Sequence, residues 1–166
     1  MKKIFTLLAL TISFIINAQM SDNSTGTSAN GSRSVAMGSY TTASGDYSTA
    51  MGQDSTASGI TSTAMGAGTN ATGQRSTSMG NYTTASGSMS VAMGYKALAA
   101  GDRSVAMGTD TRASDLNSLV IGQYNSSGYS VTSADSFSTS APAFVIGNGT
   151  TSNARSDAFK VMFNGD

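Results

Sequence analysis

The side chains able to do chemistry in this sequence are aspartates, serines, threonines and methionines, because His, Cys, Trp and Glu are all absent. Serine hydroxyls become nucleophiles only beside a positioned base, and with no histidine no such pair can be drawn. Gly66-Ala67-Gly68 has neither the following lysine nor the opening helix of a phosphate-binding loop. Asp46, Asp54, Asp102 and Asp110 fall where turns are expected; a calcium ion between them would need several converging oxygens. The methionines recur at even spacing, and stacked thioethers can take Cu(I), but no softer or imidazole ligand stands near them. Asn-x-Ser/Thr triplets occur at Asn23, Asn30, Asn70, Asn81, Asn125 and Asn148, as expected by chance in so Asn-, Ser- and Thr-rich a chain. These residues point to no enzyme and to no cofactor.

What remains is spacing. Ser34-Val35-Ala36-Met37-Gly38 returns fourteen residues later as Ser48 to Gly52, then as Ser62 to Gly66, Ser76 to Gly80, Ser90 to Gly94, Ser104 to Gly108 and Ser118 to Gly122. A second block lies seven residues further on in each repeat, beginning Thr41-Thr42-Ala43-Ser44-Gly45 and ending Thr111-Arg112-Ala113-Ser114-Asp115. Glycine therefore falls every seventh residue from Gly31 to Gly122, except at Asp115. A disordered linker has no reason to keep that phase. Seven residues between glycines cannot sustain a helix, whereas a strand of five and a turn of two fit. Glycine then ends each strand through positive φ and close approach, and Asp115 substitutes because aspartate visits left-handed conformations. Two strands and two turns make a coil; seven coils at about 4.8 Å give a rod roughly 30 Å long. The period predicts an all-β, parallel β-roll over residues 31–122.

Alternation within strands assigns the faces. Ala36, Ala50, Ala64, Ala92 and Ala106 share one column; Ala43, Ala57, Ala71, Ala85, Ala99 and Ala113 share another. Small residues suit the inside of a coil two strands thick, so both columns are expected within the roll. The first strand then shows Met37, Met51, Met65, Met79, Met93, Met107 and Ile121 outward, flanked by Val35, Val91, Val105 and Leu119. Such a stripe calls for burial against other copies in a closed oligomer. The inverse arrangement, methionines inside and alanines outside, is the competing one. The second strand shows Ser and Thr, including Thr42, Thr56 and Thr84. With Tyr40, Tyr47, Tyr82 and Tyr95 these make the candidate ligand face, although the tyrosines could equally pack along the turns.

The flanks complete the plan. Lys2 and Lys3, the apolar run Ile4 to Ile16 and Asn17-Ala18-Gln19 read as an export signal over residues 1–18, followed by a flexible segment over 19–30. Losing Lys2 and Lys3 leaves seven basic against nine acidic groups, a formal charge of −2, with no basic patch for nucleic acid. No segment after the signal could span a membrane. Ile146 lies 25 residues after Ile121, so 123–143 is expected as a protruding loop, and 144–166, with Phe144, Phe159, Val161 and Phe163, as a bulkier cap.

The strand Ser34 to Gly38, repeated at Ser90 to Gly94 and Ser104 to Gly108, resembles the Ser-Val-Ala-Ile-Gly signature of trimeric autotransporter adhesin heads of the YadA type, with Met for Ile. Ala97-Leu98-Ala99-Ala100-Gly101 matches that family's second block. The resemblance implies a left-handed parallel β-roll, assembled as a homotrimer, exported to the cell surface or outer membrane or released, and attaching to extracellular matrix, host cells or abiotic surfaces. The heptads and C-terminal amphipathic strands that normally follow such a head are not visible, so a truncated or short fibre is expected. A fibre module without a ligand is one alternative. A β-solenoid binding ice or another crystal surface through Thr42, Thr56 and Thr84 is a second, interrupted by Asn70, Leu98 and Arg112.

Overall fold

The computed structural model describes residues 20–21, 26–128 and 131–166; the expected export signal lies outside them. In chain order the strands are β1 (Met20–Ser21), β2 (Ser28–Ala29), β3 (Val35–Ser39), β4 (Thr42–Ala43), β5 (Thr49–Gln53), β6 (Thr56–Ala57), β7 (Thr63–Ala67), β8 (Asn70–Ala71) and β9 (Thr77–Asn81). They continue as β10 (Thr84–Ala85), β11 (Val91–Tyr95), β12 (Leu98–Ala99), β13 (Val105–Thr109), β14 (Arg112–Ala113), β15 (Leu119–Gln123), β16 (Pro142–Asn148) and β17 (Asp157–Met162). Odd-numbered strands to β15, then β16 and β17, form one ten-stranded sheet; β2 to β14, even-numbered, form a seven-stranded one. The chain is thus an all-β parallel solenoid with coils of 14 residues. Equivalent residues pair in register, Met51 with Met65 and Ala57 with Ala71 among them.

The two sheets are unequal. The second block makes two-residue strands, not five, because its glycine end turns at once: the N–H groups of both Ser44 and Gly45 donate to the carbonyl of Ala57. The coils also begin earlier than residue 31. Ser28 pairs with Thr42 and Ala29 with Ala43, so Thr27 to Gly31 is a copy of the second block within the segment expected to be flexible.

Four columns point into the roll. Both alanine columns are fully buried, and so are the Ser34 and Thr41 columns, which share their parity. Ser34, Ser90 and Ser118 donate to the carbonyls of Gly31, Gly87 and Asp115 at 2.7 Å. Ser78 takes an alanine position and shares a 2.8 Å hydrogen bond with Thr83, separating the buried alanines into two clusters. A core this narrow buries little apolar surface per residue, so the backbone ladders bear an unusual share of stability.

The glycines fall into two kinds. Gly66 has φ +136°, whereas Gly73 has no positive φ; at both, a Cβ would overlap the carbonyl oxygen of the next coil's glycine. Close approach is the common requirement. Asp115 fits this rule and not the left-handed preference expected of it. Its φ is not positive, and it is the last of its column, so no further coil's glycine needs the space its side chain fills.

Left-handed backbone instead sits two residues after each glycine, at Arg33, Tyr40, Tyr47, Asp54, Thr61, Gly68, Arg75 and onward to Tyr124, with φ between 44° and 64°. Only Gly68 in this series is a glycine. A left-handed backbone costs an L-residue about 1–2 kcal/mol, most for a β-branched one. Thr61→Asn should therefore stabilise the chain by about 0.5–1 kcal/mol, seen as a higher urea midpoint at unchanged slope.

Beyond Asn125 the chain leaves the repeat. β16 resumes the first sheet 25 residues on, pairing Phe144 with Leu119 and Ile146 with Ile121, and β17 closes it antiparallel. Arg155 ties this end to the last coils: it bonds the Asp110 carboxylate at 2.7 Å and the Asp110 carbonyl at 3.0 Å, with Tyr124 beneath its guanidinium. Residues 131–134 do not protrude as expected. They fold back on the turns that follow the second-sheet strands, where Ser133 and Ala134 accept the N–H groups of Leu116 and Asp102.

Candidate interaction surfaces

Each five-residue strand of the first sheet points its second residue inward and its first and third outward, which sets the outer face residue by residue. Met37, Met51, Met65, Met79, Met93, Met107 and Ile121 form one outward column, with Val35, Val91, Val105 and Leu119 in the column beside it. Thr49, Thr63 and Thr77 fill the gaps in that second column. Stacking half-covers most of these side chains, but Met107 and Leu119 remain 39% and 37% exposed. The inverse arrangement is not adopted, since Ala36, Ala50, Ala64, Ala92 and Ala106 are 0% exposed. Phe144 and Ile146 extend the two columns by register, and Val161 and Phe159 pair opposite them on β17. The stripe therefore gains bulk toward this end, where the Phe144 and Phe159 rings stand 5.9 Å apart.

On the opposite side, Thr42, Thr56, Asn70, Thr84, Leu98 and Arg112 form a half-exposed column. Ser44, Ser58, Thr72 and Ser86 form an exposed row beside it. The tyrosines do not share this face. Tyr40 and Tyr82 occupy the corner leading from the first sheet to the second, and Tyr95 ends a first-sheet strand just before that corner. Tyr47 lies at the corner on the other edge. Tyr40 and Tyr82 are 56% and 62% exposed, yet each ring lies against a glycine one coil back, Gly26 and Gly68 respectively. Arg33 donates to the Tyr47 hydroxyl at 2.7 Å, and the Lys96 amine stands 5.3 Å from the Tyr95 ring centre.

The turn aspartates have a role that spacing alone did not reveal. Asp46 accepts the Ser32 N–H and Asp102 the Ser88 N–H, both at 2.8 Å. Each carboxylate staples its coil to the one before, at a turn position where Ile60 and Gln74 offer no carboxylate. Among the described residues no three acidic side chains gather as a cation site. No described helix is long and apolar enough to cross a membrane.

The YadA head domain repeat matches residues 29–55, 57–83, 85–111 and 99–125, more than half of the chain. The chain belongs to the YadA head family. Its matches run from β2 to two residues beyond β15, the span over which the 14-residue register holds. No curated protein matches the chain. YadA heads are adhesin-type structural modules displayed at cell surfaces and are not an enzyme family. The geometry suits such a module: a stiff ladder with one apolar face and one hydroxyl-bearing face.

Proposed function

We propose that this YadA head forms an exported homotrimer whose apolar stripes meet about a shared axis, and that its outer surfaces attach to extracellular matrix, host cells or abiotic surfaces. The outward methionine stripe carries the reading. Fully burying seven such side chains is worth on the order of 10–20 kcal/mol gross at about 1.5–3 kcal/mol each, part of it already gained by stacking within one chain. Another copy offers the same stripe at the same spacing, and flexible thioethers fill an axial gap well. The solution mass of the chain tests the assembly. Three times the chain mass is expected, and a monomer at all concentrations overturns the proposal.

The attachment surface pairs the hydroxyl rows with the corner tyrosines. Binding to immobilised collagen, fibronectin or whole cells should fall at least tenfold when Tyr47 and Tyr82 are both replaced by serine, with the assembly intact. Undiminished binding would remove the tyrosines from the ligand surface. If no binding is found for the parent chain on any of these, the second reading stands, a spacer without its own ligand. The rings of Tyr40 and Tyr82 resting on glycine favour that reading, because packing alone gives them a role.

A further inference from the structure

The two sheets end at different heights. The first continues past the last full coil as β16 and β17, while the second stops at β14. In a parallel ladder the N–H and C=O of one residue both face the same neighbouring strand. In earlier coils the Thr42 N–H donates to the Ser55 carbonyl and the Leu98 N–H to the Thr111 carbonyl. Arg112 is their equivalent, and among the described residues no second-sheet strand lies beyond it.

A side chain takes that strand's place. The Asn125 carboxamide accepts the Arg112 N–H through Oδ1 at 2.8 Å and donates to the Arg112 carbonyl through Nδ2 at 2.9 Å. One primary amide supplies the donor and acceptor that a backbone would supply. Asn125 is fully buried, fourteen residues after Thr111 in the inward Thr41 column, so its Asn-x-Ser triplet is closed to modification. Asp157 secures the segment behind it, accepting the Ser126 and Ser127 N–H groups at 2.8 and 2.9 Å. Asp115 secures the far side, accepting the Thr132 and Ser133 N–H groups at 2.6 Å. Asp115 also blocks by bulk. In every earlier coil the space a Cβ would need is filled by the carbonyl of the glycine-column residue above, so the Asp115 side chain stands where a stacked strand would bring its own.

We infer that Asn125 and Asp115, with residues 131–134, form an end-stop that occupies the last edge of the second sheet and denies it to a strand from another copy of this chain. Another copy is the natural intruder because every second-sheet strand repeats the same backbone spacing and inward alanine. This contact is end-on and separate from the lateral meeting of stripes.

The test returns both positions to the repeat's own residues, Asp115→Gly with Asn125→Thr. Glycine and threonine occupy these columns in earlier coils, so the strand signal in circular dichroism should persist. Hydrogen exchange at the Arg112 and Leu116 amides should speed at least tenfold. The mass of the double variant should rise with concentration to at least twice that of the parent, whatever the parent's own state. Amides that stay protected would show that Asn125 and Asp115 are not the cover. Deprotected amides with an unchanged mass would show that the edge needs no guard. Either result overturns the inference.

Discussion

Gly66→Ala should all but abolish folding of the coil that carries it, while Gly165→Ala should cost only about 1 kcal/mol. Both glycines have positive φ, +136° and +92°. At Gly165 a Cβ meets nothing within 4 Å, so the substitution there reports the backbone preference alone. At Gly66 the Cβ would overlap the Gly80 carbonyl oxygen, and backbone, unlike a flexible side chain, cannot swing aside. Relief requires β7 and β9 to part. That breaks the register from Thr63–Thr77 to Ala67–Asn81 and opens the alanine interior beneath. Several ladder hydrogen bonds at about 1 kcal/mol each, added to the backbone strain, bring the loss above about 4 kcal/mol. A native stability of about 5–15 kcal/mol leaves little after that. Because each coil touches only its neighbours, urea unfolding followed by circular dichroism should show the two flanking blocks melting separately. Equal midpoints for the two variants would refute the close-approach argument.

Ala64→Leu and Met65→Asp, one residue apart, should fail in opposite ways. Ala64 is 0% exposed inside a roll two strands thick, and three further carbons there must push the sheets apart. That variant should lose about 3 kcal/mol or more and its strand signal with it. Met65 points outward, so a carboxylate there meets water in a single chain and should leave the coil folded. In the proposed trimer the same substitution buries three like charges near one axis. Desolvation and repulsion then cost several kcal/mol per charge. Met65→Asp should drop to the mass of one chain at micromolar concentration with its circular dichroism largely retained, whereas Ala64→Leu should aggregate or unfold. A Met65→Asp chain that remains trimeric would place the stripe outside the interface.

Much of this fold is legible in the sequence because its repeat never slips. Fourteen-residue phase, alternation and glycine together define coils, register and the inward alanines. The same parity marks Ser34 and Thr41 as inward, but hydroxyl side chains read as surface, and only the structure shows both buried, with Ser34 bonded to the Gly31 carbonyl. The block Thr27 to Gly31 is a faithful copy hidden by its place within the segment expected to be flexible. Other features leave no local mark. Thr41 to Gly45 has the composition of a full strand, and only the hydrogen bonds from Ser44 and Gly45 shorten it. The tyrosines look like part of one face because spacing does not tell a strand position from a corner. Asn125 and Asp115 look like a chance triplet and a tolerated glycine substitute, since Asn125 bonds the backbone of Arg112, which no side-chain pattern marks, and the Asp115 partners Thr132 and Ser133 lie in a segment with no repeat to align them.

The left-handed corners have a consequence for how such a rod can change. Tyr40, Asp54, Gly68, Tyr82, Lys96, Asp110 and Tyr124 hold equivalent places in successive coils, with an aromatic ring, an acid, a base or nothing at the same backbone angle. The neighbouring ladders set that angle, and residues of several types bear its modest strain. Chemical identity along this margin is thus only loosely tied to folding, most closely at Asp110, where it anchors Arg155. Most rungs of this margin can therefore change their chemistry one at a time while the scaffold underneath stays the same.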